Sequence, residues 1–201
     1  MVSYFFYNIK FLMVMKYVFA LLLAGISIHL MSQDFRNANW GESIDMVKSK
    51  ETATLIPEKS KGNMLYYKST LGEKNVEIAY KFISNKLVRA TYIFVEKYTN
   101  KNVYYSDFLN FKTLLTKKYG DPHKYDQRWS NDTYKYEVGY MGQAISLGHV
   151  VVVETWKRDK TRINHAIYRK NDDIEHIIEY ISVNFAYLEK EKEEKTGIDD
   201  L

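Results

Sequence analysis

Two stretches of period-two alternation constrain this chain more than anything else in it. Val76, Ile78, Tyr80 and Phe82 alternate with Glu77, Ala79 and Lys81. Successive side chains of a strand point to opposite faces, so the pattern predicts a strand with one buried face. Ser84-Asn85-Lys86 supplies turn chemistry, and residues 87–96 (LVRATYIFVE) continue as the second strand of a hairpin. Both faces of that strand are largely apolar, which predicts a central position with a helix over one face. Residues 64–69 add a third strand. The theme returns in residues 149–157 (HVVVVETWK) and 161–169 (TRINHAIYR), which flank Arg158-Asp159-Lys160 as a second hairpin. With Asp159 at the centre of that turn, His165 lies opposite Val153.

Helical signals punctuate the strands. In WGESIDMVKSKE, residues 40–51, Gly41 permits an unusual backbone turn and Ser43 can cap a short helix by accepting a bond from a free N–H. Ile44 and Val47 then share one face, and Pro57 with residues 59–62 closes the unit. In SDFLNFKTLLTKKYGDP, Ser106 caps and Phe108, Phe111, Leu115 and Tyr119 form an apolar stripe. Lys117 and Lys118 suit the negative end of that helix, Gly120 its left-handed stop, and Pro122 prevents continuation. In NDDIEHIIEYISVNFAYL, Ile174, Ile177, Ile178, Ile181, Phe185 and Leu188 fall at helical spacing, with Asp172 and Glu175 placed as a capping box. This predicts a third helix. The order is helix, strands, helix, strands, helix. It predicts an α+β domain with an antiparallel sheet and helices packed on one face, in two helix–strand–strand units.

The N-terminal stretch MKYVFALLLAGISIHLMSQDF bears on compartment. Tyr17 to Met31 are apolar except for Gly25, Ser27 and His29, and as a helix they would span about 22 Å, short of a hydrocarbon core of about 30 Å. A basic residue in front and a small Ser32 behind fit a secretory signal cleaved before Gln33, with the true start at Met13 or Met15. Residues 1–32 are thus expected to be a signal peptide, 33–190 a single domain and 191–201 a charged tail. The chain has no cysteine, which excludes disulfides, thiolate metal sites and the lipid-bearing cysteine of a lipoprotein. The mature protein is therefore expected in the periplasm or outside the cell, with no stable membrane anchor after cleavage. Lys10 and Lys16 leave with the signal, so the formal charge of +4 falls to +2. So balanced a charge argues against nucleic acid as a partner.

The Gly-x-Ser-x-x-x-Val element (Gly41, Ser43, Val47), two helix–strand–strand units and the helix end Tyr119-Gly120-Asp121-Pro122 resemble the β-lactamase-inhibitor-protein-like superfamily. That superfamily includes small outer-membrane assembly lipoproteins, and the likeness covers about residues 35–122. It implies a protein-binding module without catalytic residues. The missing cysteine departs from the lipoprotein members, so their tether does not carry over. The Phe-Arg…Trp-Gly opening is also similar to that of uncharacterised exported bacterial proteins.

Catalytic signatures are sparse. There is no Gly-x-Ser-x-Gly elbow, and Lys195-Thr196-Gly197 lacks a Ser-x-x-Lys partner. Asp and Glu show no paired signature, so carboxylate hydrolase chemistry would need folding to bring two together. His123, His149, His165 and His176 form no ligand-spaced pair, and they read as surface or satisfied sheet histidines; neither metal nor cofactor is expected. The distinctive feature is aromatic. Trp129, Tyr134, Tyr136 and Tyr140 crowd a loop-and-strand region, where rings could anchor a protein, stack on a glycan, or simply pack a half-buried sheet. These four are the candidate binding residues. The expected function is an exported, non-enzymatic binding module of the bacterial cell envelope with a protein partner. A periplasmic hydrolase using carboxylates, or a glycan-binding module, is the alternative.

Overall fold

The computed structural model describes residues 33–189 and residue 191, so the expected signal segment and most of the charged tail lie outside the described residues. In chain order the elements are α1 (Ile44–Lys50), β1 (Thr54–Leu55), β2 (Met64–Leu71), β3 (Lys74–Ile83), β4 (Lys86–Phe94), α2 (Lys101–Tyr119), β5 (Lys124–Trp129), α3 (Met141–Ser146), β6 (Val150–Lys157), β7 (Thr161–Lys170) and β8 (Asp173–Ser182). The strands form one antiparallel sheet of eight, in the order β1-β2-β3-β4-β8-β7-β6-β5. The domain is α+β. Each half of the sheet is a meander, and the two meanders meet where β4 pairs with β8.

Local chemistry explains most elements. Ser84 and Asn85 both take positive φ, the backbone twist that matches two antiparallel strands at a tight turn. Ser43 Oγ accepts from the Met46 N–H and caps α1. Helix α2 starts earlier than Ser106: Asn100 accepts from Asn102 N at 3.0 Å and adds a turn and a half. Gly120, at φ +81°, ends it.

The third predicted helix is a strand. Asn171 and Asp172 adopt φ of +49° and +64°, so they turn a β7–β8 hairpin instead of capping a helix. In β8 the residues Ile174, His176, Ile178 and Tyr180 are buried in strict alternation. As the central partner of β4 and β7, β8 has apolar residues on its other face too, and Ile177 and Ile181 completed a helical spacing by coincidence. β-branched side chains and the Asn-Asp turn favour the strand.

The core has two clusters. The larger gathers Val47 of α1 and Phe111 and Leu115 of α2 with Tyr80, Phe82, Leu87, Tyr92, Trp156, Ile178 and Tyr180. The second joins Tyr104 and Phe108 of α2 with Ala144 and Ile145 of α3 and Val150, Val152, Ile167 and Ile174 of the sheet. Gly41, at φ +84°, lies against the Phe185 ring, which a side chain there would strike. Past β8, Glu189 returns to the sheet and pairs with Lys81 at 2.8 Å and Arg89 at 2.6 Å. Among the described residues no helix is long and apolar enough to cross a membrane.

Candidate functional site

The four predicted aromatic residues divide. Trp129, at the end of β5 opposite Val150, and Tyr134 pack against the second core cluster. Tyr136 is 84% exposed and Tyr140 50% exposed, with Val138 between them at 97%. Tyr134 and Tyr140 stack at 5.4 Å between centroids, and Tyr134 also stacks on His149 at 5.8 Å. The loop carrying them is built, not slack. Asn102 at the start of α2 donates to Gly139 O at 2.6 Å and accepts from Gly142 N at 3.0 Å. Gly142 packs so closely on the first turn of α2 that any side chain there would collide with the Lys101 carbonyl. Turn hydrogen bonds from Glu137 N to Tyr134 O and from Tyr140 N to Glu137 O close the rest.

A second constellation lies beneath α2. His165 on β7 faces Glu154 on β6 across the hairpin, with its Nδ1 3.3 Å from Glu154 Oε2, and its Nε2 is 2.8 Å from His176 Nε2 on β8. Lys112 of α2 places its amino group 2.6 Å from Glu154 Oε1 as an ion pair. Both rings are sandwiched by aromatics: Phe108 stacks on His165 at 4.0 Å and Phe94 on His176 at 3.9 Å. Burial would raise the Glu154 carboxyl, but the bond from His165 and the Lys112 cation outweigh it and hold the group below its ordinary range. Burial lowers His165, only partly offset by Glu154, and lowers His176 further, with His165 and Lys74 adding to the effect. Both rings are therefore neutral. With Glu154 ionised, His165 carries its proton on Nδ1, and its bare Nε2 accepts from His176 Nε2–H. One proton fits between the rings.

His176 also lines a cavity of about 10 Å³, room for one water, together with Lys74, Phe94, Glu96, Tyr98, Tyr104, Asp107 and Ile174. Two carboxylates meet here, yet Asp107 is engaged by Lys74 at 2.8 Å and by the Tyr98 hydroxyl at 2.7 Å. A sugar ring or peptide does not fit. The buried chain therefore anchors α2 to the sheet.

Sequence reading placed His165 opposite Val153, and missed this constellation by one residue. The turn has two residues at its tip, Asp159 and Lys160, which brings Glu154 and not Val153 against His165. Of the two readings of His165 and His176, surface or satisfied sheet histidines, the second describes them: both are buried on strands and hydrogen-bonded. Equal spacing of Glu154 and His165 from an Asp159-Lys160 tip was the available signal. Comparison with family models, with curated proteins and with solved structures found no match to this chain.

Proposed function

We propose that the protein is an exported, non-enzymatic binding module of the bacterial cell envelope, periplasmic or secreted, and that it holds a protein partner through the loop of residues 134–142. The observation that carries this reading is the ordered display of Tyr136 and Val138, 84% and 97% exposed, on a loop closed by turn hydrogen bonds and pinned at its C-terminal end by Asn102. Exposed apolar side chains on a preformed loop lose little conformational freedom on binding, which is where interface energy concentrates. We read the domain as two units, each a helix followed by antiparallel strands, with the helices on one face. The clustering of Val47, Phe111 and Ile145 on inward-facing strand residues supports that packing. It leaves a second surface on the opposite face, where Ile93, Ile177, Ala166 and Val153 lie side by side across four strands. The segment of residues 17–31 supports export.

The test is capture of envelope proteins by the wild-type chain and by Tyr136→Ala and Val138→Ser. Each variant should weaken retention of the specific partner by more than about 1 kcal/mol with an unchanged melting temperature. Trp129→Ala, by contrast, should lower stability by about 2–3 kcal/mol, because it opens a half-filled space beside the second core. Retention of the same proteins by wild type and loop variants would remove the reading. Loss of envelope-glycan binding in those variants would assign the loop to sugar instead.

A further inference from the structure

Opposite ends of the sheet treat charge differently. At the end carrying the β7–β8 turn, four cations are paired: Lys97 with Asp173, Arg169 with Asp172, Lys170 with Glu175 at 2.7 Å and Lys74 with Asp107 at 2.8 Å. At the other end the β6–β7 tip reads Lys157-Arg158-Asp159-Lys160-Thr161-Arg162, and all four cations are exposed. Among the described residues none of the four lies within ion-pairing distance of a carboxylate. Charged side chains left unpaired in this way remain available to an external anion.

Apolar groups are interleaved with them. Val183, 51% exposed, donates its backbone N–H to Lys160 O at 2.9 Å, so it sits directly beside the tip. Lys86, which opens β4 at the same end, holds its amino group 5.5 Å over the Phe185 ring. The Trp40 indole donates to Thr161 Oγ1 at 2.8 Å, and Asp34 accepts from the Trp40 N–H at 2.9 Å.

We propose that this end of the domain docks on an anionic phospholipid surface, with Lys157, Arg158, Lys160, Arg162 and Lys86 on the headgroups and Val183 at the interface. Clustered cations beside exposed apolar side chains are the combination that binds anionic bilayers, whereas a nucleic acid or soluble polyanion needs the cations alone. The cell-envelope reading is not required for this, and the 134–142 loop takes no part in it.

The experiment is co-sedimentation of the full chain with vesicles of phosphatidylcholine alone and of phosphatidylcholine with phosphatidylglycerol. Binding should be stronger to the anionic vesicles and should fall with salt, since surface charges are screened beyond about 10 Å at 0.1 M. Replacing Lys157, Arg158, Lys160 and Arg162 together by Gln should weaken anionic binding by about tenfold or more. Removing the same charge at the other end, through Lys97, Lys101, Lys135 and Arg169 to Gln, should not. All eight side chains are at the surface, so the melting temperature reports folding of both variants. Tyr136→Ala should leave vesicle binding intact, which separates this result from the loop's. Equal binding to both vesicle types, equal loss in both charge variants, or displacement by single-stranded DNA at matched charge would overturn the proposal.

Discussion

Each half of the molecule buries one glutamate, and the two are held in opposite ways. Glu51, just past α1 and with its side chain 1% exposed, receives the Arg36 guanidinium through two bonds of 3.0 and 2.9 Å, the Tyr80 hydroxyl, and the backbone N–H groups of Thr52 and Ala53. Every lone pair is used. Glu154, with its side chain 0% exposed, has a lysine at 2.6 Å on one oxygen and a neutral histidine at 3.3 Å on the other. Beyond that histidine runs a second one and then a cavity the size of a water. The first is a clamp built from permanent donors. The second depends on where protons sit, since only one proton fits between His165 and His176. Burial alone therefore does not say whether a charge is static; the titratability of its partners does.

The sharpest way to break the comparison is to remove the clamp. Glu51→Ala would leave the part-buried Arg36 cation, the Tyr80 hydroxyl and two backbone donors without an acceptor. Stripping one partner from a buried ion pair costs about 3–5 kcal/mol, so the melting temperature should fall steeply at neutral pH. A fall as small as that of an exposed ion pair would mean that the clamp does not differ from surface charge.

How much of this was legible follows from what each feature depends on. The hairpin of β3 and β4, the Ser43 cap and the Gly120 stop are set by residues within a few positions of one another, and the sequence announces them. β8 was not legible by periodicity, because a strand buried on both faces places apolar residues at spacings a helix also uses. The Glu154–His165 contact hinges on whether one residue or two sit at a turn tip, and a slip of one exchanges the two faces of a strand. The aromatic cluster was visible as composition. Its division into two packed and two displayed rings depends on Asn102, distant in sequence from Tyr134, meeting Gly139 and Gly142, a contact absent from any local pattern.

An acid titration sharpens the comparison with a middle-sized effect. His165 and His176 have folded pKa values lowered below the ordinary 6.5, so the unfolded chain takes up their protons first. The stability they allow is present above about pH 6.5 and is lost as pH falls from there toward their folded values, by up to about 1.4 kcal/mol per pH unit for each ring kept neutral. Glu51 is also lowered, by its donors against the opposing effect of burial, from an ordinary value of 4.5. Its contribution is present above 4.5 and is lost only below it. The melting temperature should therefore decline in two stages, the upper assigned to the histidines. His176→Phe should flatten the upper stage and leave the lower one. A profile unchanged by that substitution would place the acid sensitivity elsewhere.

The smallest effect belongs to Lys112. Its side chain is 37% exposed while that of Glu154 is 0% exposed; Lys112→Gln keeps an N–H donor for the buried oxygen, so its cost at neutral pH should be about 1 kcal/mol, well below that of Glu51→Ala. The consequence worth measuring is on protons. The Lys112 cation disfavours a charge on His165, while the Glu154 carboxylate favours one. Without Lys112 the carboxylate acts alone, and His165 should take up its proton at a higher pH than in the wild type. Sign follows directly: a folded pKa closer to the unfolded one narrows the difference in bound protons, so the upper stage of the acid decline should become shallower. Ring-proton chemical shifts of His165 followed through the titration read this without reference to melting. If the shift curve of His165 is the same with and without Lys112, the amino group is not coupled to the buried histidines, and the second glutamate is held as statically as the first.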